Sequence, residues 1–379
     1  DITPPKDLYH PLIQGYDVKK KKVIGSLDLI VKQTITSAIL HEAMKYGYKV
    51  TKIYRADRYK AAESKFRNGL LGDMYVAKMK NAGPIPETER ERMINTFKTK
   101  FNIDLGDVNK YTKNAVAKQV AKGPITSAWG KHAESLDHTQ AKLVPSDGDV
   151  GKEFYDTLLE NKVQLKNVRK VGPNTMFDYT ENRSFKRPEL HKTYLPVAVF
   201  VTAYGRLKLW RELVKIDPRG TPNSELRVLM YDTDSIVYSC SGCDGAYHIE
   251  EGDCLGDWET EDLEKENGGL KKFYAIGPKS YSIVCGNGKT LIKLKGATLK
   301  HAHSKIMSPE IMRDLVISKN TPNPKVSMLP QMSFDYKLNY QQEAMTTRKF
   351  LKAVQFHEKD VKGVFDWTDY RGYPEGYKI

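Results

Sequence analysis

Cysteine is scarce in this sequence, with four among 379 residues. That number is too small for a disulfide framework, so we expect an intracellular protein of a reducing compartment. No apolar run approaches the length of a membrane span, no signal-peptide pattern opens the chain, and we find no internal repeat, heptad array or low-complexity segment. These absences predict a soluble globular protein, without a membrane partner, that divides into two or three subdomains.

Acidic residues are outnumbered by basic ones. The chain has 61 Lys and Arg against 47 Asp and Glu, which gives a formal net charge of +14. Such an excess predicts a polyanionic partner, nucleic acid first and an anionic membrane surface second. The 22 tyrosines offer rings for stacking and hydroxyls for phosphate contacts, although tyrosine is also common in protein cores. Charge alone predicts an acidic partner and nothing narrower.

The segment that the rest of the chain is organised around is 228–238, Val-Leu-Met-Tyr-Asp-Thr-Asp-Ser-Ile-Val-Tyr. Two apolar, β-favouring runs flank an acidic break, a pattern that predicts a hairpin with carboxylates at its turn. Asp232 and Asp234 are two residues apart, so in an extended strand both point to one side. Paired carboxylates repel unless a cation neutralises them, and hard oxygen ligands suit Mg²⁺ together with substrate phosphates. A solvated acidic turn is the simpler interpretation of these residues taken alone.

Helical periodicity is clear in several other segments. Residues 37–46 stop at Gly47, and in 196–215 the apolar positions recur at intervals of three and four. Gly123-Pro124 should end or sharply kink the helix that precedes it, because proline lacks the backbone donor. The remaining predicted helices are 61–81, a polar region from Glu87, 108–122, 151–161, about 259–266 and 309–318, the last with Ser308 as its cap.

Two basic helices could form a hairpin that presents ammonium groups to a triphosphate. Asn114, Lys118 and Lys122 are four residues apart and share one helix face. Lys78 and Lys80 end the preceding basic helix. An exposed lysine-rich helix pair explains the same pattern equally well.

Two further motifs suggest chemistry without requiring it. Cys240 and Cys243 have zinc-like spacing, with His248 and Cys254 nearby, but no second cysteine pair follows, so a loop with free thiols is favoured. Residues 286–290, Gly-Asn-Gly-Lys-Thr, imitate a phosphate-binding loop. The first glycine of that motif would fall at Ile283, so a hairpin turn explains them better.

Together these segments resemble the family B DNA polymerases, in particular their protein-primed viral and transposon (Polinton-like) branch. The segment 232–235, Asp-Thr-Asp-Ser, is similar to the third palm motif, and 121–131 is similar to the fingers motif with its lysine and Ser-x-Trp-Gly-Lys. The segment 202–206, Thr-Ala-Tyr-Gly-Arg, resembles the Thr-x-x-Gly-Arg signature, and 279–281 resembles the Lys-x-Tyr motif. The segment 293–296 resembles the basic strand that follows it.

The resemblance implies an α+β fold of the right-hand polymerase type. We expect an antiparallel-sheet palm, helical-hairpin fingers and a small, mainly helical thumb. The boundaries that follow are 1–56 for the start of the palm, 57–130 for the fingers, 131–300 for the palm with the acidic hairpin, and 301–379 for the thumb. The first palm motif is not present in its usual form, and we expect its aspartate upstream of Asp1, so the chain as given should be inactive or very weak alone.

The resemblance also implies a chemistry: addition of deoxynucleotides to a primer 3′ end, with two Mg²⁺ ions, or Mn²⁺ in their place. Asp232 and Asp234 would be the catalytic and metal-binding residues. Lys118 and Lys122, with Lys78 or Lys80, would bind the nucleotide. The residues implied in DNA binding are Thr202, Arg206, Lys279, Tyr281 and Lys295.

The implied partners are primer-template DNA, deoxynucleoside triphosphates and a terminal protein as first primer, in a nucleus or at a viral replication site. Two alternatives stay open. One is an incomplete relative that binds primer-template without extending it. The other, more remote, is a haloacid-dehalogenase-like phosphatase, because Asp232 and Asp234 after an apolar strand mimic its nucleophile pair.

Overall fold

The structure is a computed structural model of the 379-residue chain. It describes residues 1–17, 22–24, 26–59, 69–134, 138–145, 152, 155–156, 158–182, 194–217, 227–240, 247–252, 256–339, 344–356, 364–366, 371–374 and 377. The first part of the predicted helix 61–81 and parts of the predicted helix 151–161 lie outside these residues, as do Cys243 and Cys254.

The chain forms two compact units. The first comprises residues 1–125, 199–331 and 351–379, and the second comprises residues 126–198 and 332–350. Helices and antiparallel strands occur in the chain together, so the predicted α+β class is confirmed. In the part of the chain that the structure describes, no helix combines the length and the apolar character that crossing a bilayer requires.

Seven α-helices are delimited within the described residues. They are α1 Ser37–Lys45, α2 Leu70–Lys80, α3 Glu87–Thr96, α4 Ala115–Lys131, α5 Leu195–Ile216, α6 Asp262–Lys265 and α7 Pro309–Ile317. The terminal signals act as predicted: Gly47, at φ +87°, follows α1, and the Ser308 hydroxyl accepts a hydrogen bond from the Ile311 N–H at the start of α7. A π-helical turn, Phe97–Phe101, continues α3.

Sixteen strands are delimited in the same residues, and those that pair do so in antiparallel hairpins or small sheets. They are β1 Ile2–Thr3, β2 Gly15–Asp17, β3 Lys22–Ile24, β4 Lys49–Val50, β5 Gln140–Pro145, β6 Val163–Val171, β7 Asn174–Glu181, β8 Arg227–Asp232, β9 Ser235–Ser239, β10 Leu270–Gly277, β11 Ser280–Cys285, β12 Thr290–Lys293, β13 Ser327–Asn339, β14 Ala344–Val354, β15 Val364–Asp366 and β16 Arg371–Tyr373. The acidic hairpin is β8–β9, and β10, β11 and β12 form a three-stranded sheet in chain order.

The first core of the larger unit joins α5 to the N-terminal segment. Ala203, Leu207 and Trp210 are buried on the predicted face of α5 and pack with residues of 1–50. The Trp210 indole N–H donates a 2.7 Å hydrogen bond to the His10 carbonyl. Because these contacts leave the opposite face of α5 exposed, Thr202 and Arg206 remain at the surface.

Two further cores lie in the same unit. One packs α2 and α3 around the fully buried Phe97, with Tyr75 stacked against it at a centroid distance of 5.4 Å. The other packs α7 against the β10–β12 sheet, with Met307 and Met312 at its centre. This second packing fixes the sheet whose β10–β11 turn carries Lys279.

Of the two predicted effects of Gly123-Pro124, an end or a sharp kink of the helix, the first is wrong. Helix α4 continues through Pro124 to Lys131. Proline removes one backbone bond, to the carbonyl of Val120, and Val120 lies on an exposed face, with 70 % of its surface accessible. Water can hydrate that carbonyl, so the lost bond is tolerated.

In the second unit, β7 lies between β5 and β6. Val144 and Phe177 form its small core, together with Leu158 and Tyr179. The guanidinium of Arg169 binds both carboxylate oxygens of Asp178 across the β6–β7 pair, at 2.8 and 2.6 Å. This sheet therefore combines a small apolar core with an ion pair on its surface.

The prediction that 301–379 is mainly helical is wrong for the residues of this segment that the structure describes. It has one α-helix, α7, followed by β13 to β16. Apolar residues alternate with polar ones at Met332, Phe334, Tyr336 and Leu338, the period-two pattern of a strand. The basic, aromatic composition of this segment concealed that alternation.

Candidate functional site

The acidic turn begins where β8 ends. Asp232 is the last residue of β8 and pairs with Ser235, the first residue of β9, so Thr233 and Asp234 form the turn. The Asp234 N–H donates a 2.6 Å hydrogen bond to the Asp232 carbonyl, and Thr233 has φ +55°. A bond from residue i+2 back to residue i around a positive φ is the rarer, strained kind of γ-turn. A β-branched residue in this region stores about 1–3 kcal/mol, and such strain concentrates at functional sites.

The turn, not strand alternation, places both carboxylates where they act on one cation. The argument from an extended strand does not apply, because Thr233 is not extended. The Asp232 side chain is 37 % exposed, while Asp234 is fully at the surface. Both negative charges act on one cation, the ammonium group of Lys279, and raise the pKa of Lys279. The charge of Asp232 has the larger effect.

Lys279 lies on a second strained turn, which faces the first. It is in the two-residue turn between β10 and β11 and has φ +57°. Its Nζ lies 2.5 Å from Oδ2 of Asp232. The hydrogen bond from Lys279 lowers the pKa of Asp232, helped by a hydrogen bond from the Thr233 hydroxyl and by the charge of Lys293. Asp232 is therefore ionised and already paired.

The donor set of this turn suits a hard cation in part. Asp232 Oδ1 accepts a hydrogen bond from the Thr233 hydroxyl at 3.1 Å, and Oδ2 accepts one from Lys279. Mg²⁺ commonly takes one or two protein carboxylates and completes its shell with water and phosphates. Asp232 and Asp234 can supply those carboxylates once Lys279 moves aside. Among the residues that the structure describes, no third acidic, His or Cys side chain joins them.

A basic cleft adjoins Lys279. Its volume is about 340 Å³, and it is lined by Lys279, Ile292, Lys293, Leu294, Lys295, Ala297 and Leu299. Lys293 pairs across the strands with Tyr281, and its Nζ lies 5.7 Å from the centre of the Tyr281 ring. The Lys295 N–H is held by the Ser280 hydroxyl at 3.0 Å. Lys279, Tyr281 and Lys295, predicted separately, thus lie along one sheet.

Lys293 was missed as an individual site residue. It contributes to the electrostatic environment of Asp232 and lines the cleft. The signal available in the sequence was its place at the end of a strand, opposite Tyr281 in a short hairpin. That signal depends on the register between β11 and β12, which the sequence pattern alone does not determine.

Thr202 and Arg206, the residues of α5 that the resemblance implies in DNA binding, are exposed. The Thr202 hydroxyl donates to the Val199 carbonyl at 2.9 Å within the helix. Arg206 acts electrostatically on Tyr231, the residue before Asp232. Burial of the Tyr231 hydroxyl raises its pKa, although 37 % of the whole residue is exposed, and Gln14 and Arg206 oppose that rise. Arg206 therefore belongs to the surroundings of the acidic hairpin.

A second group of cations forms between α2 and α4. Burial lowers the pKa of Lys78, and the charges of Lys118 and Lys122 lower it further. Like charges held this close are costly unless an anion accompanies them. Asn114, on the same face, caps α4 through a 3.0 Å bond from the Ala117 N–H. Of the four predicted nucleotide-binding lysines, Lys118 and Lys122 thus both act on Lys78.

Lys80 does not join that group. It is exposed at the end of α2, two residues after Lys78 and therefore about 200° further round the helix. Glu259, an acid that the sequence analysis did not identify, does act on the lysine group: its charge opposes the lowering of the Lys78 pKa. Its position in an irregular segment far along the chain gave no sequence signal.

The structure thus yields two groups of charged side chains. The first group consists of Asp232, Asp234, Lys279 and Lys293. The second group consists of Lys78, Lys118 and Lys122. The first combines paired carboxylates with a lysine at a strained turn. The second is a cluster of cations with one acid nearby. Comparisons of the chain with protein-family models, with curated proteins and with solved structures give no match.

Proposed function

We propose that this chain is the core of a DNA-directed DNA polymerase, which adds deoxynucleotides to a primer 3′ end. The observation that carries the proposal is the meeting of two strained turns, one with Asp232 and Asp234 and the other with Lys279. Strain of this kind persists where a side chain has to be aimed, and here it places Asp232 against Lys279, whose ammonium group the charge of Asp234 also influences.

In the proposed reaction, the primer hydroxyl attacks the α-phosphorus of a nucleoside triphosphate, and pyrophosphate leaves. Asp232 and Asp234 would hold Mg²⁺, which acidifies the attacking hydroxyl and neutralises charge on the leaving phosphates. Asp234 is exposed and its carboxylate oxygens are open to a ligand, so it would be the principal metal-binding residue. Asp232 would support it after exchanging its bond to Lys279.

The lysine cluster would hold the triphosphate. A nucleoside triphosphate brings several negative charges, which would relieve the mutual repulsion of Lys78, Lys118 and Lys122. Lysine is well suited to this task as a compact point charge on a flexible stem. Binding would therefore restore the pKa of Lys78 toward its ordinary value.

The cleft beside Lys279 would hold the end of the primer-template duplex. Lys279, Lys293 and Lys295 offer charges to phosphates, and Tyr281 offers a ring and a hydroxyl. Thr202 and Arg206 would add contacts from α5. Such contacts fix the position of DNA without reading its sequence, so affinity should fall steeply as salt is raised.

The assignment of subdomains belongs to this proposal. Residues 1–56 and 131–300 would form the palm, 57–130 the fingers and 301–379 the thumb of a right-hand polymerase. A terminal protein would supply the first primer hydroxyl, in a nucleus or at a viral replication site. These points rest on the motif resemblance alone.

A second function deserves a separate test. A chain with this surface could bind primer-template without extending it, and the observation that favours this is the lack of a third carboxylate beside Asp232 and Asp234 among the described residues. The phosphatase alternative has less support. It needs a parallel sheet with helical crossovers, whereas β8 is joined to β9 in an antiparallel hairpin.

Primer extension with Mg²⁺ or Mn²⁺ tests the first function, and equilibrium binding of the same labelled primer-template tests the second. Because the first palm motif is not present in its usual form, we expect extension by the chain alone to be weak or absent. Extension that is lost in Asp234→Asn with DNA affinity retained would support the polymerase. Salt-sensitive binding with no extension under any metal condition would support the second function. Absence of both activities in a folded protein would contradict both proposals.

A further inference from the structure

Lys279 belongs to two neighbouring features at once, the acidic turn and the basic cleft. Its Nζ lies 2.5 Å from Oδ2 of Asp232. The same side chain lines the cleft, together with Lys293 and Lys295. A phosphate bound in the cleft would compete with the carboxylate for this ammonium group, because two anions that share one cation repel each other.

The backbone of Lys279 is fixed, whereas its side chain is free to change direction. Lys279 lies in the turn between β10 and β11 at φ +57°, and the hydroxyl of the next residue, Ser280, accepts a 3.0 Å hydrogen bond from the Lys295 N–H. The Lys279 side chain is 62 % exposed and carries its charge on a flexible four-carbon stem. Its ammonium group can therefore exchange partners without a change in the fold.

The other wall of the cleft is held in place by hydrogen bonds to its backbone. Gln331 accepts a 2.8 Å hydrogen bond from the Thr298 N–H and donates one of 3.2 Å to the Thr298 carbonyl. The Lys352 ammonium group donates to the Lys295 carbonyl at 2.5 Å. The cleft is therefore a preformed site for an anion, and Lys279 is the part of it that an internal carboxylate engages.

The ion pair of Lys279 and Asp232 is weak enough to be exchanged. The Asp232 side chain is 37 % exposed. Ion pairs at the surface stabilise a fold only slightly, because water and salt screen them. Lys279 would leave Asp232 when DNA phosphates attract it from the cleft, or when a divalent cation at the turn repels it.

We infer that Lys279 couples the two sites, because its exchange from Asp232 to a DNA phosphate opens the acidic turn to a divalent cation. Without DNA, the Asp232 carboxylate occupies the ammonium group in place of a phosphate. Coupling between two sites is reciprocal, so DNA binding is strengthened by the same factor when a cation occupies the turn. The inference rests on the DNA and metal binding of the proposed function and does not require extension.

The first test measures the affinity of a labelled primer-template for the full chain in EDTA. Asp232→Asn should tighten binding by about two- to fivefold, the range to which an exposed ion pair corresponds, because Lys279 becomes available to phosphate. Asp314→Asn is the matched control. Its carboxylate is 33 % exposed and pairs at 2.9 Å with Lys325, which does not line the cleft. Asp234→Asn should stay within about twofold of the wild type.

The second test measures Mn²⁺ binding to the DNA-free chain by electron paramagnetic resonance. Lys279→Met should bind Mn²⁺ about two- to fivefold more tightly than the wild type, because the competitor of the cation is gone. Lys293→Met removes a charge from the same cleft without breaking the ion pair, so it should change the affinity less. Asp234→Asn should lose the Mn²⁺ site, which assigns the bound ion to the acidic turn.

The third test adds primer-template to the Mn²⁺ titration. It should raise the Mn²⁺ affinity of the wild type more than that of Lys279→Met, in which the coupling is absent. The first two tests use different variants, so either one decides the question if circular dichroism shows that a variant of the other does not fold.

Two results would overturn the coupling and leave both binding sites in place. One is equal DNA affinity in Asp232→Asn and Asp314→Asn, and the other is an equal rise in Mn²⁺ affinity in Lys279→Met and Lys293→Met. A folded wild-type chain that fails to bind DNA or Mn²⁺ would instead overturn the proposed function, and the coupling with it.

Discussion

The β8–β9 turn and the β11–β12 turn both join antiparallel strands through a residue with positive φ, but they use different side chains. In the second turn the residue is Gly288, at φ +85°, and Asn287 accepts a 2.9 Å hydrogen bond from the Lys289 N–H. In the first turn the residue is Thr233. Glycine has no Cβ to strain, whereas threonine is among the least suited residues to that region.

The difference separates a turn in which glycine takes the positive φ from one that keeps a strained threonine between two acids. Residues 286–289 resemble a phosphate-binding loop in sequence but form a hairpin turn, in which the N–H groups of Gly286 and Asn287 donate to the carbonyls of Gly269 and Asn267. Thr233 holds a strained turn whose neighbours are two acids, and its hydroxyl bonds to Asp232. Each prediction below pairs a change in the acidic turn, its partners or the lysine cluster with a matched change in the glycine turn.

The largest effect is expected from Asp234→Asn. Removal of one metal-binding carboxylate should lower the rate of primer extension by about 10³-fold while DNA affinity stays within about twofold. Asn287→Ala in the glycine turn should leave the rate unchanged. Extension rates under single-turnover conditions and binding isotherms are the measurements. Equal losses of binding and extension in Asp234→Asn would indicate a structural role instead.

A smaller loss should follow removal of the lysine cluster. The double variant Lys118→Ala, Lys122→Ala should raise KM for deoxynucleoside triphosphate by about 10- to 100-fold, because the two lost charge contacts together are equivalent to about 1.4–2.8 kcal/mol. The pKa of Lys78 should rise, since two charges that lower it are gone. Lys289→Ala is the control. An unchanged KM would remove these lysines from the nucleotide site.

Exchange of the turn residues tests the strain directly. Gly288→Thr should lower the free energy of unfolding by about 1–3 kcal/mol, because no atom within 4 Å would meet a new Cβ and only the backbone conformation penalises it. Thr233→Gly should leave stability unchanged or raise it by up to about 1 kcal/mol. Denaturant unfolding measures both. A destabilised Thr233→Gly variant would show that the acidic turn is not strained.

The smallest effect concerns Lys279→Met. The pKa of Asp232 should rise, because the hydrogen bond from Lys279 is the largest cause that lowers it. A carboxyl group whose pKa is lower in the folded chain than in the unfolded chain stabilises the fold at pH values above its unfolded pKa, near 4 for aspartate. That contribution disappears as pH falls through the pKa that the carboxyl has in the folded chain. The wild type should therefore exceed Lys279→Met in stability at neutral pH and lose that advantage in acid. Carboxyl NMR titration measures the shift, and Lys289→Met should leave it unchanged.

Local patterns predicted much of the fold, and contacts distant in sequence account for most of what they missed. The face of α5 with Leu207 and Trp210, the cap at Ser308 and the acidic hairpin each depend on neighbours within a few residues. The bond between Lys279 and Asp232 spans 47 residues and depends on how two hairpins pack. No local periodicity contains that information.

Two errors concern individual elements. The continuation of α4 through Pro124 depends on which way the freed carbonyl faces, and this follows from packing around the helix. The strands β13 and β14 carry a period-two pattern that was overlooked among many charged residues. Lys80 illustrates a third limit, because proximity in sequence to Lys78 placed it on the wrong side of α2.

The hydrogen bond from Trp210 to the His10 carbonyl spans 200 residues. While the chain is being synthesised, the first fifty residues cannot complete their core until α5 has left the ribosome. At about 5–20 residues per second, that interval lasts roughly 10–40 s. During this interval Leu12, Leu27 and the other apolar residues of the N-terminal segment lack their contacts with α5. A chaperone that binds nascent chains would bind these exposed apolar residues.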